Sequence, residues 1–301
     1  MKTNFFQKLI KRPRLLVQLL FSAVMNGYLY GFATGRIYTG PAKTLCVPGL
    51  NCYSCPGALG SCPIGSLQAV LADRNYRFSF YVVGFLMLFG SIFGRFVCGW
   101  LCPFGLVQDL LFRIPIPAPL KKWISKRKNL PGHKILVWTK YLILAGFVII
   151  LPLIAVDIIG QGSPWFCKYI CPSGTLGAGI PLLLTNEPLR QAAGFLFQWK
   201  FAILMFLLIL SVLVYRPFCK YLCPLGAVYS LFNPIALYRY RVQESSCTKC
   251  GKCQKACGMD IRVWETPNNP ECIRCGDCLK ACPTGALQRN CRHSAKNKSA
   301  V

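Results

Sequence analysis

Eight cysteines between positions 247 and 282 fall into two runs of one rhythm. CTKCGKCQKAC supplies Cys247, Cys250, Cys253 and Cys257, and CIRCGDCLKACP supplies Cys272, Cys275, Cys278 and Cys282 ahead of Pro283. Each is the C-x2-C-x2-C-x3-C spacing that holds [4Fe-4S] clusters. Three cysteines at intervals of three wrap a tight loop around one corner of a cube, and the fourth lies on a following helix and reaches the other cluster. The spacing therefore predicts crossed ligation, Cys247, Cys250 and Cys253 with Cys282, and Cys272, Cys275 and Cys278 with Cys257. Two zinc knuckles are the competing reading. Zinc usually draws four ligands from two separated pairs, and that is not this duplicated rhythm.

A second phrase, Cys-Pro-x-Gly, recurs at Cys62, Cys102, Cys171 and Cys223. Three of the four have another cysteine four residues upstream, namely Cys98, Cys167 and Cys219. A cysteine followed by proline, glycine and apolar residues reads as a helix start with proline at its first position. The free N–H groups and positive dipole end of that helix face the thiolate, which suits an anionic cluster. The plain alternative for any one pair is two buried thiols at a helix end. Four thiols at one membrane face weigh against it.

Those cysteines need elements to carry them, and composition says what kind. Of 301 residues, 54% are hydrophobic, too apolar for an ordinary soluble chain and fitting a membrane protein with a small polar appendage. Four apolar segments of about the length a bilayer requires run over residues 15–34, 78–97, 135–156 and 195–215. The net charge of +26 could suit nucleic acid, but its basic residues flank the apolar runs, so the positive-inside rule explains them. Residues 1–14 carry five basic residues and no acid, and Arg113 to Lys134 carries seven and no acid. The loop between the third and fourth segments has Lys168 and Arg190 against Glu187. Four spans with both termini cytoplasmic follow. The first outer loop fits less cleanly, since Arg36, Lys43, Arg74 and Arg77 are positive. Haem b is excluded as a carrier, because the two histidines, His133 and His293, lie outside the apolar segments. His133 reads as a solvated flank and Asp157 as an interfacial residue. The first apolar run lacks a cleavage site of signal-peptide type.

This topology puts Cys98 and Cys102 at the inner end of the second span and Cys219 and Cys223 at the inner end of the fourth, a candidate inner cluster. Arg95 and Arg216, three residues before Cys98 and Cys219, are candidates for binding it by charge. On the outer side Cys167 and Cys171 join two of Cys52, Cys55 and Cys62; the repeat favours Cys62 first and Cys55 next. Disulfides compete there if that compartment is oxidising. Cys46 and Cys291 are spare. The fold class expected is mainly α: a polytopic membrane domain over 1–237 in two duplicated halves, a ferredoxin-like α+β domain with two clusters over 238–288, and a disordered basic tail over 289–301.

The paired CGWLCPFG and CKYLCPLG phrases, the basic loop between them and the C-terminal double cluster resemble the NapH-type membrane polyferredoxins, over roughly residues 78–285. Nitrous-oxide-reductase regulators and cytochrome-oxidase accessory proteins share that core. The resemblance implies an electron-transfer component of the cytoplasmic membrane, working between the quinone pool or a cytoplasmic donor (ferredoxin-like or a flavoprotein) and an extracytoplasmic redox partner, with no nucleic acid. This chain lacks the flavin-binding domain of the regulator branch and adds the outer cysteines. A wire of four [4Fe-4S] clusters is one reading. A quinol dehydrogenase subunit, and an assembly or regulatory protein that reduces a metal or thiol of a client enzyme, are the others. The sequence presents no acid, base or nucleophile constellation, so cofactors would carry the chemistry.

Overall fold

The computed structural model describes residues 13–72, 80–114, 130–157 and 162–291. The stretch from Lys121 to Lys128, Arg74 and Arg77, His293, most of the basic N-terminal flank and most of the tail lie outside them. The described residues are mainly helical, with one two-stranded sheet.

Helix α1 is Pro13–Met25, α2 Leu29–Thr34, α3 Pro63–Ala72, α4 Phe80–Phe93, α5 Phe96–Trp100 and α6 Pro103–Leu111. Helix α7, His133–Ile154, and the later Phe195–Leu213 are long and apolar enough to cross a membrane by length and composition. The expected first and second spans take another form. The first breaks between α1 and α2 at Asn26–Tyr28, and the second ends at Gly94, whose φ of 53° lies in the left-handed region that glycine tolerates. Between α7 and Phe195–Leu213 come α8, Trp165–Tyr169; α9, running from Pro172–Gly174 through a π-helical turn at Thr175–Gly179 to Ile180–Thr185; and α10, Glu187–Gln191. With Phe195–Leu213 as α11, the second half closes on α12, Pro217–Tyr221, and α13, Pro224–Phe232. Duplication is thus visible in the folded chain. Each of the short helices α5, α8 and α12 carries a cysteine, and each is followed by a helix that begins on proline.

The C-terminal unit is a ferredoxin-like hairpin. Strand β1, Tyr238–Val242, pairs antiparallel with β2, Leu287–Cys291, and α14, Lys252–Ala256, packs with α15, Asp277–Ala281. It sits directly on the ends of α4, α5 and α13. Arg274, buried, donates to Phe93 O at 2.8 Å and Asn233 O at 2.6 Å, and the Trp100 indole donates to Arg274 O at 3.1 Å. Gly99 lets the Ile273 backbone approach so closely that a Cβ there would lie 2.3 Å from Ile273 O.

Buried ion pairs complete this junction. Arg216 donates to both carboxylate oxygens of Asp109 (2.7 and 2.5 Å), and Arg14 reaches the same carboxylate. Burial alone would push the Asp109 carboxyl up, but Arg216 and Arg14 hold it below the usual carboxylate range. Glu271 of the ferredoxin unit pairs with Arg95 at 2.6 Å and with Lys140 of α7. His133, expected as a solvated flank, is instead half-buried, with Nδ1 3.0 Å from the Tyr221 hydroxyl; Asp157 is exposed. Removing one partner of a buried pair leaves an uncompensated charge and costs about 3–5 kcal/mol. Asp109→Leu should therefore lower the midpoint of thermal unfolding in detergent sharply, whereas Glu187→Leu, which breaks the exposed pair with Arg190, should leave it within error.

Candidate metal centres

Each Cys-Pro-x-Gly phrase builds the same local object. Cys102, Cys171 and Cys223 occupy N-cap positions in extended backbone with proline next, and α3 likewise starts at Pro63 after Cys62. At the last of them the glycine amide turns back to the capping thiol, Gly226 N–H donating to Cys223 Sγ at 3.3 Å; at the others the glycine amide lies on the thiol's side and favours its charged form. At Gly105 the glycine also makes room, since a Cβ there would lie 3.1 Å from Cys98 O, tighter than side chains ordinarily pack.

The chain gathers these thiols into two quartets, called inner and outer after the faces predicted for them. In the inner quartet Cys98, Cys102, Cys219 and Cys223 are all mutual electrostatic neighbours. In the outer one the same holds for Cys52, Cys62, Cys167 and Cys171, which line a cavity of about 680 Å³. The ranking of Cys55 ahead of Cys52 is corrected here: Cys55 Sγ points away to Asn26 Oδ1 at 3.6 Å, while Cys52 joins the ring. In the ferredoxin unit Cys247, Cys250, Cys253 and Cys282 line one pocket. Cys257 sits with Cys272 and Cys278, and Cys275 beside Cys272. Cys46 stays apart, buried, with Sγ 3.8 Å from Ser66 Oγ; Cys291 lies in β2. Every cysteine from Cys46 to Cys282 is a free thiol.

Among the described residues, no group of three or more His, Cys, Asp or Glu converges on the point a single ion would occupy. In the outer set the four thiols line an open cavity instead, which suits a four-iron cube, whose corners hold cysteine sulfurs farther apart than one tetrahedral ion does. Thiols gathered in fours are the donor set that a [4Fe-4S] cluster takes.

The two quartets lie close together, whereas the sequence suggested a bilayer between them. The loop at Val47–Asn51 is buried and dips from the outer set to the inner one. A Cβ on Gly49 would lie 3.2 Å from Cys102 Cα, and the Leu50 amide bonds Cys102. Leu50 also lines the outer cavity, and two residues on, within roughly 7 Å of chain, Cys52 belongs to the outer quartet. Tyr229, fully buried, neighbours Cys98 and Cys102 on one side and Cys62 on the other, its hydroxyl donating to Pro48 O at 3.0 Å.

Charge is crossed between the halves. Arg95 of the first half donates to the Cys219 carbonyl at 2.9 Å, and Arg216 of the second donates to the Cys98 carbonyl at 2.5 Å. Both guanidiniums are fully buried. On the outer side Lys200 donates to the Cys167 carbonyl at 3.1 Å.

Two glutamines escaped the sequence reading. Gln108 Nε2 donates to Cys219 Sγ at 3.1 Å and its Oε1 accepts from Phe218 N at 3.2 Å; Gln68 Nε2 donates to Cys167 Sγ at 3.2 Å and its Oε1 accepts from Phe166 N at 3.0 Å. Both are fully buried. Their signal was present: each stands six residues after its Cys-Pro cysteine, Cys102 or Cys62.

A family described as a 4Fe-4S binding domain matches residues 78–131, 141–184 and 196–237, and a second family of the same description matches 267–288. An uncharacterized protein of Methanocaldococcus jannaschii is 30% identical over 184 residues, 60% of this chain and 65% of that one. The methylamine utilization ferredoxin-type protein MauN of Methylobacillus flagellatus is 28% identical over 182 residues (58% and 51%). Regulatory protein NosR of Pseudomonas aeruginosa is 27% identical over 177 residues (55% and 20%). The chain spans less than two thirds of the length of each. No solved structure matches.

Hydrogen bonds to the sulfurs help set the potential of a cluster, and second-shell donors fix ligand orientation. An N–H donor favours the reduced, more negative state. Gln108→Leu should therefore lower the midpoint potential of one cluster in an EPR redox titration while iron content stays at the parent value. An unchanged potential with full iron would show that Gln108 serves packing alone.

Proposed function

This chain belongs to the ferredoxin-type [4Fe-4S] proteins related to NosR and MauN, and on that premise we propose that it passes electrons across the cytoplasmic membrane between a cytoplasmic donor and an extracytoplasmic redox partner. Bound [4Fe-4S] clusters would supply reversible one-electron storage. The chain's own part is to hold four such groups in series. Cys247, Cys250, Cys253 and Cys282 hold the most exposed, and Cys272, Cys275, Cys278 and Cys257 the next. Cys98, Cys102, Cys219 and Cys223 hold the third, against the helix ends on which Arg274 docks. Cys52, Cys62, Cys167 and Cys171 hold the last. Arg95 and Arg216 supply buried positive charge beside the third set.

The observation that carries the reading is the Leu50 loop, which joins the two membrane quartets. Electron tunnelling weakens steeply with distance, and a hydrocarbon core of about 30 Å is too thick for one centre. Adjacent quartets, with a ferredoxin unit seated on one of them, supply short steps instead. Four spans, with both termini cytoplasmic, remain the topology that the basic loops favour.

A second reading has its own observation. The outer cavity is larger than one cube requires, and its remaining wall is mostly apolar (Ala69, Ala178, Leu182) with Lys200 at its edge. A quinol could donate there. Replacing Cys167 and Cys171 by serine under anaerobic conditions separates the readings from a disulfide role. Loss of about four irons, with the other clusters intact by EPR, supports the conduit. Unchanged iron, with disulfides in the parent by non-reducing mass analysis, ends the wire at the inner quartet and leaves the quinol reading.

A further inference from the structure

The two halves of the ferredoxin unit are twins at the level of single residues, and only one twin is occupied. In CIRCG, Arg274 has φ 52° and Gly276 φ 85°; in CTKCG, Lys249 has φ 51° and Gly251 φ 72°. The two loops therefore present their second and third residues in the same way. On the first loop Ile273 and Arg274 are each 1% exposed. Ile273 packs on Gly99, and the guanidinium of Arg274 spans the carbonyl oxygens of Phe93 and Asn233. That loop is a plug, apolar contact plus cation onto acceptor oxygens, and it seats a cluster-binding loop on its electron-transfer neighbour.

On the second loop the equivalent residues, Thr248 and Lys249, are exposed, as is Cys250 between the twin glycine and the lysine. A Cβ at Gly251 would meet nothing within 4 Å. Lys252 is exposed one turn on, and the helices that follow the two loops add exposed Lys255 and Lys280. From Gln243 to Gly258 the opposing acid is Glu244. This is also where a cysteine of the wire reaches the surface; every cysteine of the inner quartet is buried.

We propose that the Thr248–Lys249–Cys250 loop, with Lys252, is the docking surface for a soluble one-electron carrier protein whose redox centre is rimmed by carboxylates. The lysines would take the carrier's carboxylate oxygens as Arg274 takes helix-end carbonyls, and bring its centre to the Cys250 edge. One electron passes per encounter: the carrier is oxidised by one and this chain reduced by one, with no proton or group transferred. The inference rests on the electron-transfer reading but needs only the ferredoxin unit to accept an electron, so it stands or falls independently of onward transfer to the outer quartet.

The test uses the full chain, purified anaerobically with its clusters, and a reduced acidic [2Fe-2S] ferredoxin as probe. Lys249→Glu with Lys252→Glu should slow bleaching of the chain's clusters by the probe at least ~tenfold at low salt, since steering of this kind is worth 10–10³ in rate. It should also flatten the dependence on ionic strength. Reduction by photoreduced deazaflavin, which needs no docking, should keep its parent rate. A zero-length carbodiimide cross-link from the probe should map by mass spectrometry to Lys249 or Lys252, whatever the cluster content. Equal rates for parent and variant with the probe would overturn the proposal. So would an equal loss from Arg262→Glu, an exposed basic residue outside the loop, or cross-links that avoid both lysines.

Discussion

A thiolate buried among apolar side chains is tolerated only where positive groups surround it, because burial strips the water that would otherwise solvate its charge. Much of this chain serves that constraint. At Cys62, Cys102, Cys171 and Cys223 the chain turns sharply into a helix, so that the positive helix end faces the sulfur, and at Cys223 the Gly226 amide donates to it. The guanidiniums of Arg95 and Arg216 lie beside the inner quartet, and the carboxylates of Glu271 and Asp109 hold them there. Those carboxylates belong to different parts of the chain, one on the ferredoxin unit and one on α6. The same charges therefore tie the ferredoxin unit to the helical part of the chain.

Duplication turns the constraint into geometry. Because each half contributes two thiols to each quartet, neither half completes a site alone. The cross-links between halves are specific: Arg95 to the Cys219 carbonyl and Arg216 to the Cys98 carbonyl, Gln108 to Cys219 and Gln68 to Cys167. Phe166 and Phe218, each immediately before a cysteine and each fully buried, give their amides to those glutamines. Holding a ligand's sulfur and its preceding amide with one side chain fixes the cysteine rotamer, the kind of outer support that a cofactor site needs.

How much of this was legible in the sequence depends on what each residue's partner is. The cysteine rhythm and the Cys-Pro-x-Gly phrase are local patterns, so iron–sulfur chemistry could be read from spacing. Arg95 and Arg216 could be singled out by position, but not that each would serve the other half. Cys52 was misjudged against Cys55 because the repeat breaks between Cys55 and Cys62. What decides the matter is the dip of the Leu50 loop onto Cys102, a long-range packing event with no local signature. The apolar segments were legible as segments, yet Gly94 and the break after Met25 divide two of them, and length counting cannot see a helix that ends early. Gln68 and Gln108 could have been found by aligning the phrase six residues further on.

The central claim is that electrons entering at the ferredoxin unit leave through the outer quartet without a diffusible carrier inside the membrane. It is tested most directly with the cluster-loaded chain in quinone-free liposomes, the ferredoxin unit facing outward and ferricyanide trapped inside. Photoreduced deazaflavin added outside should bleach the trapped ferricyanide in vesicles holding the parent chain, and not in vesicles holding the Cys167→Ser, Cys171→Ser variant. Bleaching that appears only when quinone is added, or that the variant sustains at the parent rate, would contradict the account.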